Sequence, residues 1–324
     1  MEKQLWNLKP YNNLDYYMKE HYGQKIYKIA IDAGFTCPNR DGVLDTRGCI
    51  FCSAGGSGDF AVGKDEEHPT IHSQLEEGKK RILDKAGENA GFIAYFQAYT
   101  GTYAPVDTLR EIYTEALNED FCIGISIGTR PDCLSKDVCI LLEELRDQFP
   151  DKFIWIELGL QTIHRETAKY IRRGYELSVF EEAVKKLNNI QLPVIVHVIL
   201  GLPGETVDQM LQTMEYLNTF PIFGIKLQLL HVLKDTDLLN DYNEKKFDTL
   251  TFEEYIDIVI KCLEILCPEI VIHRLTGDGP KDILVAPTWS SDKKRVLNTI
   301  LKEMKERDTW QGKKYEHKGF FNVI

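Results

Sequence analysis

The sequence predicts an α/β fold: a parallel sheet in a single barrel-like domain, with helices on its outside. Three observations carry that prediction. From residue 25 onward, strand-like and helix-like segments alternate without repeats or long linkers. The strand-like runs are apolar throughout instead of alternating with polar residues, as strands covered on both faces must be. A chain of 324 residues with 43% hydrophobic content can fill one large core.

The elements follow in order. Residues 1–24 read as a helical lead-in, 25–275 as the barrel and 276–324 as a C-terminal helical and basic extension packed on it. KIYKIAI (25–31) is the first strand, and HPTIHSQLEEGKKRILDKA (68–86) is helical with Ile71, Leu75, Ile82 and Leu83 on one side. GFIAYFQ (91–97) precedes a helix at PVDTLREIYTEAL, where Asp107 is the expected N-cap. CIGISIG (122–128) precedes a helix capped by Ser135, and FIWIELGLQ (153–161) leads into helical segments to Ile171 and again from Ser178. Glu181 would close a capping box with Ser178. PVIVHVIL (193–200) turns through GLPGET into a helix with Met214 and Leu217 on it, and GIKLQLLHVL (224–233) is a sixth strand. TFEEYIDIVIKCLEIL (251–266) is an amphipathic helix, EIVIHRLTG a short strand, and SDKKRVLNTILKEMKE a last helix before a polar tail ending in FFNVI.

Cys37, Cys49 and Cys52 form a C-x11-C-x2-C set in the loop after the first strand. A closed zinc site or an electron-carrying 4Fe–4S cluster takes four ligands. Three thiolates on a cubane leave one iron open to bind something else. A zinc knuckle that borrows a fourth ligand, or free thiols, are the alternatives. Cys122, Cys133, Cys139, Cys262 and Cys267 form no C-x2-C pair and read as buried small apolar residues. The start, MEKQLWNLKPYNN, lacks a signal-peptide apolar stretch, and no run approaches the length of a membrane span, so the expected compartment is the cytoplasm, where thiols stay reduced.

Active sites of parallel α/β folds lie at the carboxyl ends of the strands. Gln97, Gly128–Arg130, Glu157–Gln161, His197–Gly204 and His231 all fall there, with the cysteine loop. Gln97 and Thr100 can bond a polar ligand. Arg130 precedes a proline, so an extended backbone aims its guanidinium at a carboxylate of a ligand or of a neighbouring loop. Glu157, Gly159 and Gln161 alternate along one strand face, and a carboxylate in a barrel interior requires partners. His197 lies among valines and an isoleucine, where a satisfied core histidine is the commoner case. Lys226 and His231 reach toward the substrate end. Arg172–Arg173 before Gly174 read as a helix C-terminus complementing its dipole.

A net charge of −11 does not advertise a nucleic-acid binder, and DNA is not an expected partner. Residues 293–318 depart from it, with nine Lys/Arg against four acids, for a local charge of +5. A solvated helix face and an RNA-contacting surface both fit that segment.

DAGFTCPNRDG, RGCIFC, GTRPD, ELGLQ, GLPGET, KLQLLHVLKDT and HRLTGDGP together resemble the YtqA/YhcC-type radical S-adenosylmethionine (SAM) proteins. That group is similar to the radical SAM domain of the Elongator catalytic subunit, which acts on wobble uridine of tRNA. The resemblance implies an incomplete (β/α)6-type barrel, a 4Fe–4S cluster on Cys37, Cys49 and Cys52, and SAM contacts near Phe51, Gln97, Arg130, Glu157, Gln161 and His197. Lys226 and His231 would serve the reaction itself. It also implies a 5′-deoxyadenosyl radical, an electron donor such as a reductase, flavodoxin or ferredoxin, and tRNA as substrate, with a carboxymethylaminomethyl group at C5 of uridine becoming aminomethyl. FQAYT departs from the Gly-Gly-Glu common in the superfamily at that strand, and the C-terminal acetyltransferase domain of the Elongator subunit is expected to be missing. A radical SAM oxidase or decarboxylase of a small molecule, and a non-catalytic iron–sulfur protein, are the alternatives.

Overall fold

The computed structural model describes residues 3–62, 69–86, 90–277 and 279–316. Helix α1 (Leu14–Tyr22) precedes strand β1 (Ile26–Ile31). Then follow α2 (Ile71–Ala86), β2 (Gly91–Phe96), α3 (Val106–Asn118), β3 (Cys122–Thr129), α4 (Lys136–Gln148) and β4 (Phe153–Gln161). Two helices, α5 (Arg165–Tyr170) and α6 (Leu177–Asn189), lead to β5 (Val194–Leu200), and α7 (Val207–Leu217) leads to β6 (Gly224–Leu229). A short β7 (Val232–Leu233), α8 (Asp237–Asn243) and α9 (Phe252–Ile265) precede β8 (Val271–Arg274). Finally β9 (Leu284–Ala286) pairs antiparallel with β7, and α10 (Lys293–Glu306) closes the regular structure.

Seven strands run parallel in the order β1-β2-β3-β4-β5-β6-β8. Parallel neighbours need a crossover, so each helix or helix pair returns over one face and the sheet curls into a half-barrel. The barrel stays open because β1 and β8 do not pair. Both free edges are covered, as exposed edges require. Val62 N donates to Ala30 O at 2.9 Å beside β1, and Ile272 N donates to Asn12 O at 2.7 Å beside β8.

Side chains alternate between two environments. Outward residues such as Phe96, Ile125, Ile156, Val196 and Leu227 pack beneath the helices in the main core. Inward residues at the amino ends, Ile93, Trp155 and Ile195, pack with Met18 of α1, so the first helix plugs the bottom of the barrel. Trp155 stacks on Phe153 with centroids 4.2 Å apart and tilts against Phe223 at 5.2 Å.

Ser135 caps α4, accepting from Val138 N at 3.2 Å. The other two expected caps differ. Pro105 occupies the N-cap of α3, which leaves Asp107 inside the first turn, where it complements the helix dipole. Helix α6 starts at Leu177 with Glu176 before it, so Ser178 is already helical and forms no box with Glu181. The capping boxes are at Thr206–Gln209 and Thr251–Glu254. Of the five cysteines read as buried, Cys122, Cys262 and Cys267 are, whereas Cys133 and Cys139 are partly exposed.

The basic segment is not one surface. Arg295 lies over the Phe252 ring (4.3 Å), and Trp289 Nε1 donates to Leu250 O (3.1 Å), beside Gly201 at the carboxyl end of β5. Thus Lys293–Arg295 lie toward the barrel mouth. From there α10 descends along α9. Arg307 pairs with Asp257 and Glu303, and Lys314 with Glu264. Gln311 N donates to Pro10 O (2.8 Å) and its Nε2 to Ile270 O (2.9 Å), at the amino end of β8. Lys313 and Lys314 therefore lie near the opposite end from the mouth. Lys318, FFNVI and the expected helix start at His68 lie outside the described residues.

Candidate active site

The interior floor of the half-barrel is built on one carboxylate. Glu157, on β4, has a side chain with no solvent exposure. Its Oε1 accepts from Lys28 Nζ (2.6 Å) on β1 and Ser126 Oγ (2.6 Å) on β3. Its Oε2 accepts from His197 Nε2 (2.7 Å) on β5 and from Lys226 Nζ on β6. Lys226 Nζ also donates to Tyr95 OH at 2.9 Å. A carboxylate accepts and never donates when ionised, so His197 carries its proton on Nε2. Gln228 Nε2 then donates to His197 Nδ1 at 3.2 Å.

Burial by itself would raise the Glu157 carboxyl, but Lys226, Lys28 and His197 outweigh it and hold it well below the usual carboxylate range. Burial pushes Lys226 well below the usual lysine value, only partly offset by Glu157. Lys28 shifts the same way for the same reason. Burial, and then the Lys226 charge, push His197 down to about 4, consistent with the neutral ring its partners require.

Above this floor one wall is the cysteine loop, and Cys37, Cys49 and Cys52 all line the cavity with Phe51. Tight turns set the thiols: Arg40 N and Asp41 N donate to Cys37 O (2.8 and 3.1 Å), and Cys52 N to Cys49 O (3.0 Å). Gly48 (φ +78°) passes so close to Arg40 that a Cβ would lie 2.9 Å from the guanidinium Nε. Arg40 donates to the carbonyls of Cys52 and Ser53. Asn39 Nδ2 bridges Arg172 O (2.8 Å) and Cys49 Sγ (3.5 Å). Gly174 (φ +84°) lets the backbone approach this amide, since a Cβ there would stand 2.8 Å from Asn39 Oδ1.

The remaining expected residues divide. Gln97, Arg130, Glu157, Gln161 and His197 line the same cavity as the thiols. Gln161 adopts φ +67° and buries an Oε1 that has no hydrogen-bond partner among the described residues. A strained backbone that presents an orphaned acceptor is a feature of ligand sites. Arg130 takes the loop alternative, donating to Asp132 from Nε (2.9 Å) and Nη2 (2.7 Å). Lys226 lies in the floor and is 3% exposed. His231 faces an adjacent cavity that also touches Phe51, Cys52 and Gln97.

Arg172 and Arg173 follow the C-cap of α5 and bond back to its last turn through their backbone N–H groups, but their side chains go elsewhere. Arg172 pairs with Asp237 at 2.6 Å. Arg173 is buried and donates to the carbonyls of Leu160 (3.1 Å), Thr162 (2.6 Å) and Tyr175 (2.9 Å), clamping the end of β4. Lys28, Tyr95, Ser126, Gln228 and Arg40 were missed in the sequence. The signal for Lys28 was legible: a lysine two places from Ile26 and Ala30 shares their face in an otherwise apolar strand.

These residues suit a cluster with an open iron. Among the described residues no three His, Cys, Asp or Glu side chains converge on a point that would hold a single metal ion. Three thiols line one cavity, and on a cubane they would leave the fourth iron without a protein thiolate. Burial raises the Cys49 thiol to about 12 and also raises Cys52, which Arg40 partly offsets. Loading such a site therefore releases protons. The orphaned Gln161 acceptor is a place for a polar group of a second ligand.

The His197 shift has a consequence for stability. A ring near 6.5 when unfolded and about 4 when folded takes up protons only on unfolding between those values. Stability from this group is full above pH 6.5 and falls as pH drops toward 4, by up to about 3 kcal/mol. His197→Gln should flatten that part of the stability–pH curve, measured by urea unfolding at pH 7.5 to 4.5. Parallel curves for the two proteins would contradict the neutral-ring assignment.

Residues 46–217 match the Radical SAM superfamily and residues 222–306 the Radical_SAM C-terminal domain. Uncharacterized protein YtqA of Bacillus subtilis (strain 168) is 42% identical over 95% of this chain and 94% of its own. Protein YhcC of Escherichia coli (strain K12) is 34% identical over 85% and 86%. A tRNA uridine(34) acetyltransferase of Methanocaldococcus infernus is 25% identical over 51% of this chain and 30% of its own. The solved structure of archaeal M. infernus Elp3 lacking residues 1–46 superposes with a TM-score of 0.67 at 16% identity, over 89% of this chain and 64% of that one, and thus shares the fold. With a C-x11-C-x2-C loop at the mouth of a seven-stranded half-barrel, the chain belongs to the radical SAM superfamily, whose enzymes use a 4Fe–4S cluster and SAM.

Proposed function

We propose that this enzyme modifies the side chain at C5 of tRNA wobble uridine, turning a carboxymethylaminomethyl group into aminomethyl, in the cytoplasm and with a reductase, flavodoxin or ferredoxin as electron donor. The bond broken would be that from nitrogen to the carboxymethyl carbon, the fragment leaving with water as glyoxylate, a two-electron oxidation matched by the reductive cleavage of SAM. The observation that carries the reading is one cavity at the strand ends that gathers three thiols, the Gln97 amide and the orphaned Gln161 acceptor. Likeness to a tRNA uridine(34) acetyltransferase and to Elp3 supports the RNA part. Cys37, Cys49 and Cys52 would hold the cluster, and Phe51, Gln97, Gln161 and His197 would face SAM. When bound, these cofactors supply a 5′-deoxyadenosyl radical that removes a hydrogen atom from a substrate C–H bond.

The chain's own part is positioning and exclusion of water. Each Glu157 oxygen already accepts from two protein donors, so Glu157 acts through the His197, Lys28 and Lys226 it orders. Arg130 and Arg173 hold the loop ends rather than the ligand. The wobble nucleotide would leave its stack to enter the mouth.

Replacing Cys37, Cys49 or Cys52 by Ala should remove most iron and all SAM cleavage after anaerobic reconstitution, whereas Cys133→Ala and Cys262→Ala should keep both. Equal iron loss in all five variants would sink the cluster assignment. Nucleoside mass spectrometry of a deletion strain should show the carboxymethylaminomethyl form accumulating and the aminomethyl-derived forms lost. A normal wobble-uridine profile would point to the small-molecule oxidase or decarboxylase.

The split of the basic segment refines where tRNA would bind. Arg47 is 64% and Arg165 is 82% exposed in the side chain, and Lys169 is also exposed, on the loop and helix at the mouth. Neutralising Arg47, Arg165, Lys169 and Lys293–Arg295 should weaken tRNA binding and flatten its salt dependence, because fewer counterions are released. Neutralising Lys313 and Lys314 should change neither. The reverse pattern in salt titrations would put the RNA on the bottom of the barrel.

A further inference from the structure

Four arginines line the cavity over Glu157: Arg40, Arg130, Arg173 and Arg274. The first three are committed, to the carbonyls of Cys52 and Ser53, to Asp132, and to the end of β4. Arg274 differs. It ends β8, is the register neighbour of Lys226, and also lines the adjacent cavity with Phe51, Gln228 and His231. Among the described residues its guanidinium makes no hydrogen bond or ion pair.

Glu157 has no oxygen left for Arg274, because each already accepts from two donors, Lys28 and Ser126 on one and His197 and Lys226 on the other. Asp59, across the adjacent cavity, accepts from Ser53 Oγ at 2.7 Å. A part-buried guanidinium without an anion is costly, and its planar fork matches a carboxylate by two parallel hydrogen bonds.

We propose that Arg274 anchors a carboxylate on the substrate, so that β8 sets which molecules the barrel accepts. The inference rests on the wobble-uridine reading, in which the substrate side chain ends in a carboxylate and the product in an amine. Arg274 then distinguishes the two: it holds the acid and repels the aminomethyl product, which is protonated at neutral pH. The methionine carboxylate of SAM offers the same chemistry, and the test separates the two sources.

Reconstituted wild type, Arg274→Gln and Arg274→Lys are compared for affinity to SAM, to tRNA carrying either the carboxymethylaminomethyl or the aminomethyl uridine, and to N-benzylglycine and its carboxamide, which lacks the carboxylate. Wild type should favour the acid in both pairs by about tenfold, a usual size for a charge-assisted hydrogen bond. Arg274→Gln should lose the preference and Arg274→Lys keep part of it, with SAM affinity as wild type. Loss of SAM affinity with the acid preference intact would assign Arg274 to SAM and overturn the proposal. So would an acid preference that Arg274→Gln retains, or none in wild type. A preference between the small probes, abolished in Arg274→Gln, without one between the tRNAs would keep the carboxylate anchor and discard the wobble-uridine reading. Should Arg274→Gln melt early, the Arg274→Lys comparison decides: the preference must fall, not vanish with folding.

Discussion

Glu157 is the interaction on which the interior depends. Its two oxygens accept hydrogen bonds from four strands, through Lys28 of β1, Ser126 of β3, His197 of β5 and Lys226 of β6. An open barrel lacks the continuous hydrogen-bonding that closes a full one, and here a single buried carboxylate ties both halves of the sheet together from inside. Such a network contributes more to geometry than to net stability, because desolvating its charges offsets much of their attraction. Its value is that His197, Gln228 and Lys226 are held in defined orientations beneath the cavity.

The barrel interior is layered by depth. At the amino ends Met18, Ile93, Trp155 and Ile195 form an apolar plug. The ionic floor comes next, and the thiol wall and the Gln97 and Gln161 amides lie above it. The layering follows from β geometry: along β4, Trp155, Glu157 and Gly159 share a face, so the sequence steps from plug to floor to cavity. The register shift between Gly159 and Gln161 breaks that rhythm and turns the last side chain at positive φ. The strain sits where a ligand would bind and is held by the Arg173 clamp.

The apolar strand runs made the sheet legible, because each buried strand needs crossover helices on its outer face. The Cys37–Cys52 loop was legible because ligand spacing is local in sequence. The floor was legible only by halves: Glu157 and Lys226 stand out in apolar strands, but nothing local pairs a lysine at 28 with a carboxylate at 157. Arg130 and the Arg172–Arg173 pair were read as open alternatives or as dipole caps, and their partners, Asp132, Asp237 and strand carbonyls, are set by loop geometry. The caps at Asp107 and Ser178 failed because Pro105 and Glu176 begin those helices earlier. The +5 segment reads as one patch in sequence, yet α10 carries it from the mouth toward the bottom.

A double-mutant cycle on Glu157 and Lys226 tests the ionic floor directly. Unfolding free energies are measured for wild type, Glu157→Gln, Lys226→Met and the double variant. Glu157→Gln leaves Lys28 and Lys226 without their anion and should cost about 3–5 kcal/mol, whereas Lys226→Met leaves Glu157 paired with Lys28 and should cost less. The double variant should cost clearly less than the sum, with a coupling of about 1–3 kcal/mol. Additive costs would mean that the two residues do not depend on each other, and the floor as described would not exist.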